Sequence, residues 1–131
     1  MREILFRGKE FEPIHTSDGW VTGFYCTKDG AHFITTVGGY ASGKSYFSDV
    51  LVNPETIGQY TGMNDINGNR IFEGDIVRGL MDWGPAGMCE SVVDIGFNLI
   101  EGGYRWNYFA LDTIEVIGNI HDNPELLEEH K

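Results

Sequence analysis

The fold class is decided by one stretch near the middle of the chain, Ile66-Asn67-Gly68-Asn69-Arg70-Ile71-Phe72-Glu73-Gly74-Asp75-Ile76-Val77. Asn67-Gly68 lies between short apolar flanks, and this pair favours the positive φ values of a type I′ hairpin turn. Glu73-Gly74-Asp75 forms a second turn, and Ile76-Val77 begins a strand that extends toward Met81. Two turns this close together predict short strands in an antiparallel arrangement.

Similar strand signals lie on both sides of this stretch. Runs of aromatic and β-branched residues are bounded by glycine turns, and Pro54 is expected to end one of them. The predicted strands are residues 4–8, 20–26, 32–37, 46–52, 76–81, 91–97, 104–109 and 114–117. Only the tail has a helical pattern, because Asn123 suits a cap and Pro124 suits the first helical position. Leu126 and Leu127 would dock the apolar side of this short helix.

These elements predict a mainly β protein, either a strongly bent antiparallel sheet or a small SH3-like barrel, with a short carboxy-terminal helix. The length of 131 residues is enough for one domain or a domain with a small appendage. We predict an amino-terminal β-layer over residues 1–53, not required to fold independently. Residues 54–131 are predicted to form a β-barrel core with a helical tail.

The charge of the chain is strongly negative and unevenly distributed. The 9 Lys and Arg residues against 20 Asp and Glu residues give a formal charge of −11. Residues 1–78 hold 7 basic and 10 acidic side chains, net −3, whereas residues 79–131 hold 2 and 10, net −8. Such a surface repels phosphate backbones, so nucleic acid is not the expected partner. The charge predicts a solvated surface, or an acidic face that docks on a basic partner or imitates nucleic acid.

The cysteines and the amino terminus indicate a compartment. Cys26 and Cys89 form no CxxC pair, so both are expected to be small buried hydrophobic residues in a reducing environment. Residues 1–7 lack the apolar run of a signal peptide, and no stretch of about 18 apolar residues would span a membrane. The expected location is the cytoplasm.

One motif suggests nucleotide binding. Gly38-Gly39-Tyr40-Ala41-Ser42-Gly43-Lys44-Ser45 matches the phosphate-binding loop pattern, in which Lys44 would reach the outer phosphates and Ser45 would hold magnesium. Such a loop must open a helix, yet residues 46–52 have the pattern of a strand. An exposed glycine- and serine-rich loop is the favoured interpretation, and nucleotide binding through Gly38–Ser45 stays an alternative.

Candidate metal sites are weaker. Asp65 begins a pattern like a calcium-binding loop, but Arg70 stands where that loop needs glycine, and a hairpin explains the same residues better. The histidines show no pairing at ligand spacing; they are His15, His32, His121 and His130. We therefore expect no metal.

Candidate catalytic groups are weak as well. His15-Thr16-Ser17-Asp18 contains the residue types of a hydrolase triad, but sequence neighbours seldom converge on one reacting atom. Glu73 and Asp75 have the types of a paired acid, although a turn explains them better. No catalytic residue and no cofactor are expected, and the chain is predicted not to be an enzyme.

Three separated stretches carry a family resemblance. They are Arg2–Gly8, the middle segment from Gly58-Gln59-Tyr60-Thr61-Gly62 to Val77, and Ile114–Leu127. Together they resemble the YopX family of small phage and prophage proteins of bacteria. Residues 9–53 and 79–113 show no match, and Leu5 stands where the family usually has a basic residue. The resemblance implies a mostly β protein of phage or prophage origin in a bacterial cytoplasm, with no established reaction.

The motif positions of the resemblance are interpreted as structural. Gly58 and Gly62 are taken as turn or close-approach glycines, and Asn67-Gly68 as the hairpin. Gly74-Asp75 is expected where a barrel strand begins. The remaining motif positions belong to the last strand and the tail, and they are Gly118, Asn123 and Pro124.

The leading functional hypothesis is a non-enzymatic accessory protein that binds a protein partner, such as a host factor, through an acidic surface. Two alternatives remain open. One is a nucleotide-binding protein that uses Lys44 and Ser45, and the other is a self-assembling structural component, since the aromatic content suits a homo-oligomer.

Overall fold

A computed structural model of the chain describes residues 4–12, 17–39, 42–82, 84–96 and 110–128. The chain divides into two compact units, unit 1 (Met1–Tyr60) and unit 2 (Thr61–Lys131). The strands and the helix are β1 (Phe6–Lys9), β2 (Trp20–Lys28), β3 (Ala31–Gly39), β4 (Ser45–Leu51), β5 (Asn53–Asn64), β6 (Arg70–Phe72), β7 (Asp75–Asp82), β8 (Met88–Asp94), β9 (Glu115–Asn119) and α1 (Glu125–Glu128). Short 3-10 turns lie at Gly84–Ala86 and Leu111–Thr113.

Unit 1 is an antiparallel sheet with the strand order β4-β3-β2-β1-β5. Successive side chains of a strand project to opposite faces, and one face of this sheet forms the core. That core consists of Val21, Ile34, Val50 and Val52, with Phe6 and Ile57 packed against it. Burial of each aliphatic side chain contributes about 1.5–3 kcal/mol, so this small cluster is the main source of stability in the unit.

The β2–β3 hairpin of unit 1 turns on two residues with positive φ. Lys28 and Ala31 are the last paired residues, and Asp29 and Gly30 between them have φ angles of 52° and 80°. Positive φ at both central positions defines the type I′ turn, whose twist matches that of the strands. The sequence analysis assigned this turn type to Asn67-Gly68, and that assignment is wrong.

The loop between β5 and β6 is a different kind of hairpin turn. Gly68 N donates to Asp65 O at 3.0 Å and Gly68 has a φ of 82°, whereas Asn67 has no positive φ. The Asp65 carboxylate accepts the backbone N–H groups of Asn67 and Asn69 at 2.9 and 2.8 Å. The predicted hairpin is therefore present, but the Asp65 side chain sets its geometry and replaces the type I′ form.

Strand β5 was missed by the sequence analysis because it contains proline and two glycines. Pro54 is its second residue, although β4 does end before this proline, as predicted. Lys9 pairs with Asn53 and Arg7 with Gly58, so the register shifts between them and Pro54 need not donate a ladder hydrogen bond. Gly62 has a φ of 89°, a backbone conformation that glycine adopts at no steric cost.

Unit 2 contains an antiparallel sheet with the order β8-β7-β9, and β6 lies beside the last part of β5. Its core is separate from that of unit 1. The buried members are Ile71, Val77, Met81, Ile95 and Ile114, and Met63, Val93 and Val116 pack against them. Backbone hydrogen bonds from Gly74 N to Ile95 O and from Ile120 N to Gly74 O, at 2.8 and 2.9 Å, join the ends of this sheet.

The predicted fold class is confirmed as mainly β, with antiparallel sheets and a short carboxy-terminal helix. The alternative of an SH3-like barrel is wrong for the strands that the structure describes, because the three-stranded sheet of unit 2 ends in the outer strands β8 and β9, which do not pair to close a cylinder. The predicted strand over residues 104–109 lies outside the described residues. Unit 1 extends to Tyr60, whereas the predicted amino-terminal layer ended at residue 53. No helix among the described residues has the length and apolar character that crossing a membrane requires.

Candidate interaction surface

The outer face of the β8-β7-β9 sheet gathers exposed carboxylates around one arginine. Arg78 is paired with Val92 on one side and Glu115 on the other, and Leu80 is paired with Glu90. Directly paired residues of antiparallel strands share a face, and alternate residues of one strand do so too. We call this set of residues the acidic face, and it comprises Arg78, Leu80, Met88, Glu90, Val92, Asp94 and Glu115.

The sequence alternates so that this face stays outside. Val77, Met81 and Val93 occupy the intervening positions of β7 and β8, and all three belong to the core cluster of unit 2 or pack against it. Because the strand period is two, burying these residues directs Arg78 and Glu90 to the opposite side. The acidic face thus follows from this alternation from Arg78 onward along β7, whereas Ile76, which is paired with Asp94 on the same face, is fully buried.

The charges of the acidic face do not balance. Arg78 Nη2 donates to Glu115 Oε2 at 3.1 Å, and its Nε lies 4.0 Å from Glu90 Oε1. These side chains are 44%, 36% and 62% exposed for Arg78, Glu115 and Glu90, so each pair contributes at most about 1 kcal/mol. With Asp94, three carboxylates stand against one guanidinium, 1 − 3 = −2.

Apolar side chains lie among these charges. Leu80 and Met88 are exposed and Val92 is half-buried. Flexible methionine and exposed aliphatic residues supply contact area, while the unbalanced carboxylates favour a partner of opposite charge. The arrangement is suited to recognising a surface that combines basic and apolar groups.

Two other acids of unit 2 are buried and belong to its framework. Asp65 also accepts the N–H of Val116 on β9 at 3.0 Å, in addition to its bonds within the hairpin loop. Burial of this carboxyl opposes ionisation, but the donors Val116, Asn69 and Asn67 outweigh it and hold the pKa of Asp65 below its ordinary value. Asp65 therefore joins a hairpin to β9 and is not available to a partner.

Glu73 and Asp75, which have the residue types of a paired acid, belong to a turn, in agreement with the interpretation favoured from the sequence. Asp75 is buried, its carboxylate accepts Phe72 N at 2.8 Å, and Gly74 between them has a φ of 91°. Glu73 is half-buried at the preceding position. From the first position of β7, the carboxylate of Asp75 thus satisfies a backbone donor at the end of β6, which is a structural task.

The loop that matches the phosphate-binding pattern joins two antiparallel strands. Gly39 pairs with Ser45, so the segment ends a β3–β4 hairpin and is followed by strand β4. Lys44 is exposed. A phosphate-binding loop needs a helix amino terminus directly after it, and that element is absent at Ser45–Leu51. Lys44 and Ser45 therefore lack the surroundings that phosphate recognition requires.

The remaining candidate groups do not assemble into a site. Within the part of the chain that the structure describes, no three His, Cys, Asp or Glu side chains are grouped to hold a metal ion. Of the candidate triad at His15-Thr16-Ser17-Asp18, the first two residues lie outside the described residues, and Asp18 Oδ1 accepts the N–H of Trp20 at 2.9 Å. Cys26 is half-buried, with Sγ 3.6 Å from Thr35 Oγ1, but Cys89 is exposed at the end of β8. The expectation that both cysteines are buried is therefore wrong for Cys89, because the sheet end leaves it uncovered.

The tail motif is a close packing of backbone and side chains. A Cβ added at Gly118 would lie 2.6 Å from Asn123 Oδ1 and 2.9 Å from Leu126 Cδ1. Asn123 Oδ1 accepts Asn119 N at 3.3 Å, so its side chain does not cap the helix as the sequence analysis expected. Pro124 precedes α1 by one residue.

Asn119, which the sequence analysis did not single out, organises this turn. Its Oδ1 accepts the N–H groups of His121 and Asp122 at 3.0 and 2.9 Å. Asparagine is itself the signal for this turn, since its side chain favours hydrogen bonds to backbone N–H groups two or three residues further along. Leu126 and Leu127 are half-buried, which confirms the predicted docking of the helix.

Comparison with known proteins agrees with these motifs. The family model described as YopX protein matches residues 26–128. The chain belongs to the YopX family. The match of this YopX-family chain includes strands β3 to β9 and α1, so the family that the middle and closing stretches indicated is confirmed. Arg2–Gly8 lies outside the match, whereas residues 26–53 and 79–113, where the sequence showed no resemblance, lie inside it.

A solved structure shares the fold of this YopX-family chain. The crystal structure of protein EF1440 from Enterococcus faecalis is similar with a TM-score of 0.57 and 24% sequence identity. The similarity covers 97% of this chain and 99% of that chain, so the likeness extends over both whole chains. No curated protein matches the chain.

Proposed function

We propose that this YopX-family chain is a non-enzymatic accessory protein of phage or prophage origin that binds a protein partner in the bacterial cytoplasm. The observation that carries the proposal is the acidic face, where Glu90 and Glu115 flank Arg78 and Asp94 is exposed at the end of β8. The partner surface that fits it is basic with apolar groups, as a host factor with a lysine- or arginine-rich patch would offer.

The distribution of charge supports this surface over others. Unit 1 holds 5 basic and 7 acidic residues, net −2, whereas unit 2 holds 4 and 13, net −9. A field of one sign attracts a partner of the other sign and raises the association rate. The acidic face lies in the unit that carries most of this field.

The experiment that tests the proposal is capture of a partner from a bacterial host lysate with tagged protein at low and high salt. The variant Glu90→Lys with Asp94→Lys reverses the acidic face. Glu12→Lys with Glu55→Lys is the matched control, because both residues are exposed acids of unit 1. All proteins are first compared by circular dichroism, so that lost binding is not lost folding.

The expected result is one stoichiometric partner that the wild type and the control retain and the acidic-face variant loses. High salt should release the partner, because salt screens exposed charges. The Debye length is about 8 Å at physiological ionic strength and becomes shorter as the salt concentration rises. A partner retained equally by both variants would overturn the role of the acidic face. Recovery of the bait alone would contradict the proposed function.

A further inference from the structure

The sheet of unit 1 has an exposed apolar patch on the face opposite its core. Phe24, Val37, Phe47 and Leu51 are 55%, 53%, 70% and 47% exposed. Their positions follow from the strand pairing: Phe24 pairs with Thr35, Val37 with Phe47, and Phe33 with Leu51, so all lie on one face. We call Phe24, Val37, Phe47 and Leu51 the edge patch, because half of it belongs to the outer strand β4.

The centre of the edge patch is polar, and its polar side chains form hydrogen bonds with one another. Thr35 Oγ1 donates to Asp49 Oδ1 at 2.6 Å, and Lys28 Nζ donates to Asp49 Oδ2 at 2.7 Å. Hydrogen bonds to Lys28 and Thr35 hold the pKa of Asp49 below its ordinary value. The one charge of β4 is thus neutralised within its own chain, and covering this patch leaves no unbalanced carboxylate.

Strand β4 lacks the devices that usually protect an outer strand. Such strands avoid pairing with other chains through proline, bulges or unpaired charges. The β3–β4 register runs without a shift from Phe33–Leu51 to Gly39–Ser45, and β4 contains no proline. The outer strand β8 is different, because it exposes Glu90 and Asp94. Among the residues that the structure describes, no strand pairs with the outer side of β4, and of these two outer strands it is the one whose backbone is open to pairing.

We propose that β4 pairs with β4 of a second copy of this chain, antiparallel and across a twofold axis, with Phe47 facing Phe47. A twofold interface uses the same patch on both copies, so a strand that is free of unbalanced charge is self-compatible. The copies would meet through unit 1, which holds only −2 of the total charge of −11. This proposal is independent of the proposed function, which uses the acidic face of unit 2.

The choice of register follows from which residues would face each other. A twofold axis through a residue of β4 pairs residues of the same face and keeps the edge patch on one side. The three central residues, Phe47, Ser48 and Asp49, allow the longest overlap of the two strands. Asp49 on the axis would oppose its own copy, and like charges directly opposite are destabilising. Ser48 on the axis would place Phe47 against Asp49. Phe47 on the axis forms an aromatic cross-strand pair, and this register is therefore the favoured one.

The test of association is sedimentation equilibrium of the full chain over a wide concentration range. Wild type is expected to form a dimer, and Phe47→Glu is expected to raise the dissociation constant at least about tenfold by placing two carboxylates on the axis. Phe11→Glu is the matched control, because Phe11 is an exposed phenylalanine outside the strands and its substitution should leave the dissociation constant unchanged. Circular dichroism of all three proteins establishes that they are folded.

The register is tested by crosslinking. In a background of Cys26→Ser with Cys89→Ser, Phe47→Cys is expected to form an intermolecular disulfide on oxidation, because directly paired Cα atoms lie about 4.5–5.5 Å apart. Ser48→Cys is expected not to crosslink. Three results would overturn the proposal: a monomer at every concentration, a dimer that Phe47→Glu does not weaken, or crosslinking at residue 48 in place of residue 47. If the chain is a monomer at every concentration, the occupant of the edge patch is a different protein and not a second copy.

Discussion

Single residues of this protein perform tasks that their type alone does not reveal, and Asp65 is the main case. Its carboxylate is buried and accepts three backbone N–H groups, two in the β5–β6 loop and one on β9. By sequence, Asp65 begins a pattern like a calcium-binding loop, and a hairpin is the preferred interpretation. The hairpin is right, but the bond to Val116 spans 51 residues and no local pattern could have indicated it.

The variant Asp65→Asn should lower the free energy of unfolding by about 1–3 kcal/mol, because it replaces a charged acceptor of three bonds by a neutral amide. Asp94→Asn is the control, since Asp94 is exposed on β8. The measurement is urea denaturation at neutral pH. Equal midpoints for the two variants would contradict the assigned role.

The same residue predicts a dependence on pH. The pKa of Asp65 is held below its ordinary value of 3.8 in the folded state. A carboxyl with a depressed folded pKa stabilises the fold above its unfolded pKa and loses this contribution as pH falls through its folded pKa. The stability difference between wild type and Asp65→Asn should therefore shrink as pH is lowered below 3.8. A difference that grew on acidification would refute the assignment.

Gly23 on β2 provides a second test at the scale of one residue. A Cβ at this position would lie 2.2 Å from Thr35 O, a backbone atom of the neighbouring strand. Gly23→Ala should destabilise unit 1 by about 1–3 kcal/mol, because the sheet must shift to admit the methyl group. Gly96→Ala is the control, since nothing lies within 4 Å of its added Cβ. Thermal unfolding of both variants measures the effect: Gly23→Ala should lower the melting temperature and Gly96→Ala should not.

At the scale of elements, the strands were easier to predict than the connections. Alternation and β-branched residues predicted β2, β3, β4 and β7 close to their observed bounds. Strand β5 was not predicted, because its backbone is held by pairing with β1 and its register shifts between Asn53 and Gly58. Both Asp-Gly and Asn-Gly are turn signals, but the Asp65 carboxylate sets the geometry of the turn at Asn67-Gly68.

The carboxy-terminal helix is short and depends on its contacts. A helix of four residues does not form alone, so Leu126 packed near Gly118 must hold it. Deleting residues 123–131 should lower the melting temperature by several degrees, in line with a loss of about 1–2 kcal/mol. Deleting residues 129–131 alone is the control and should have little effect. An unchanged melting temperature in the longer deletion would count against this docking.

At the scale of the whole molecule, the charge is the dominant property. The chain carries −11, and unit 2 holds −9 of it. Repulsion among like charges destabilises a compact state, and salt screens it. Raising the ionic strength from about 0.01 M to about 0.15 M shortens the Debye length from about 30 Å to about 8 Å.

The melting temperature should therefore rise by a few degrees over this range of salt. The acidic-face variant Glu90→Lys with Asp94→Lys should show a smaller rise, because it reduces the net charge. Differential scanning calorimetry at several salt concentrations measures both. A melting temperature that fell with salt would show that ion pairs such as Arg78–Glu115 outweigh the repulsion.

The sequence by itself determined the β class, the short terminal helix, the acidic imbalance and the YopX family, because these depend on composition, local periodicity and motif order. Only the tertiary structure decided which acids are exposed, since Asp65 and Asp75 are as acidic in sequence as Glu90 and Asp94. Only pairing between distant strands placed Glu115 beside Arg78 and left β4 as an outer strand. The reason is physical: burial and strand register arise from contacts between residues far apart in the chain, which no local pattern encodes.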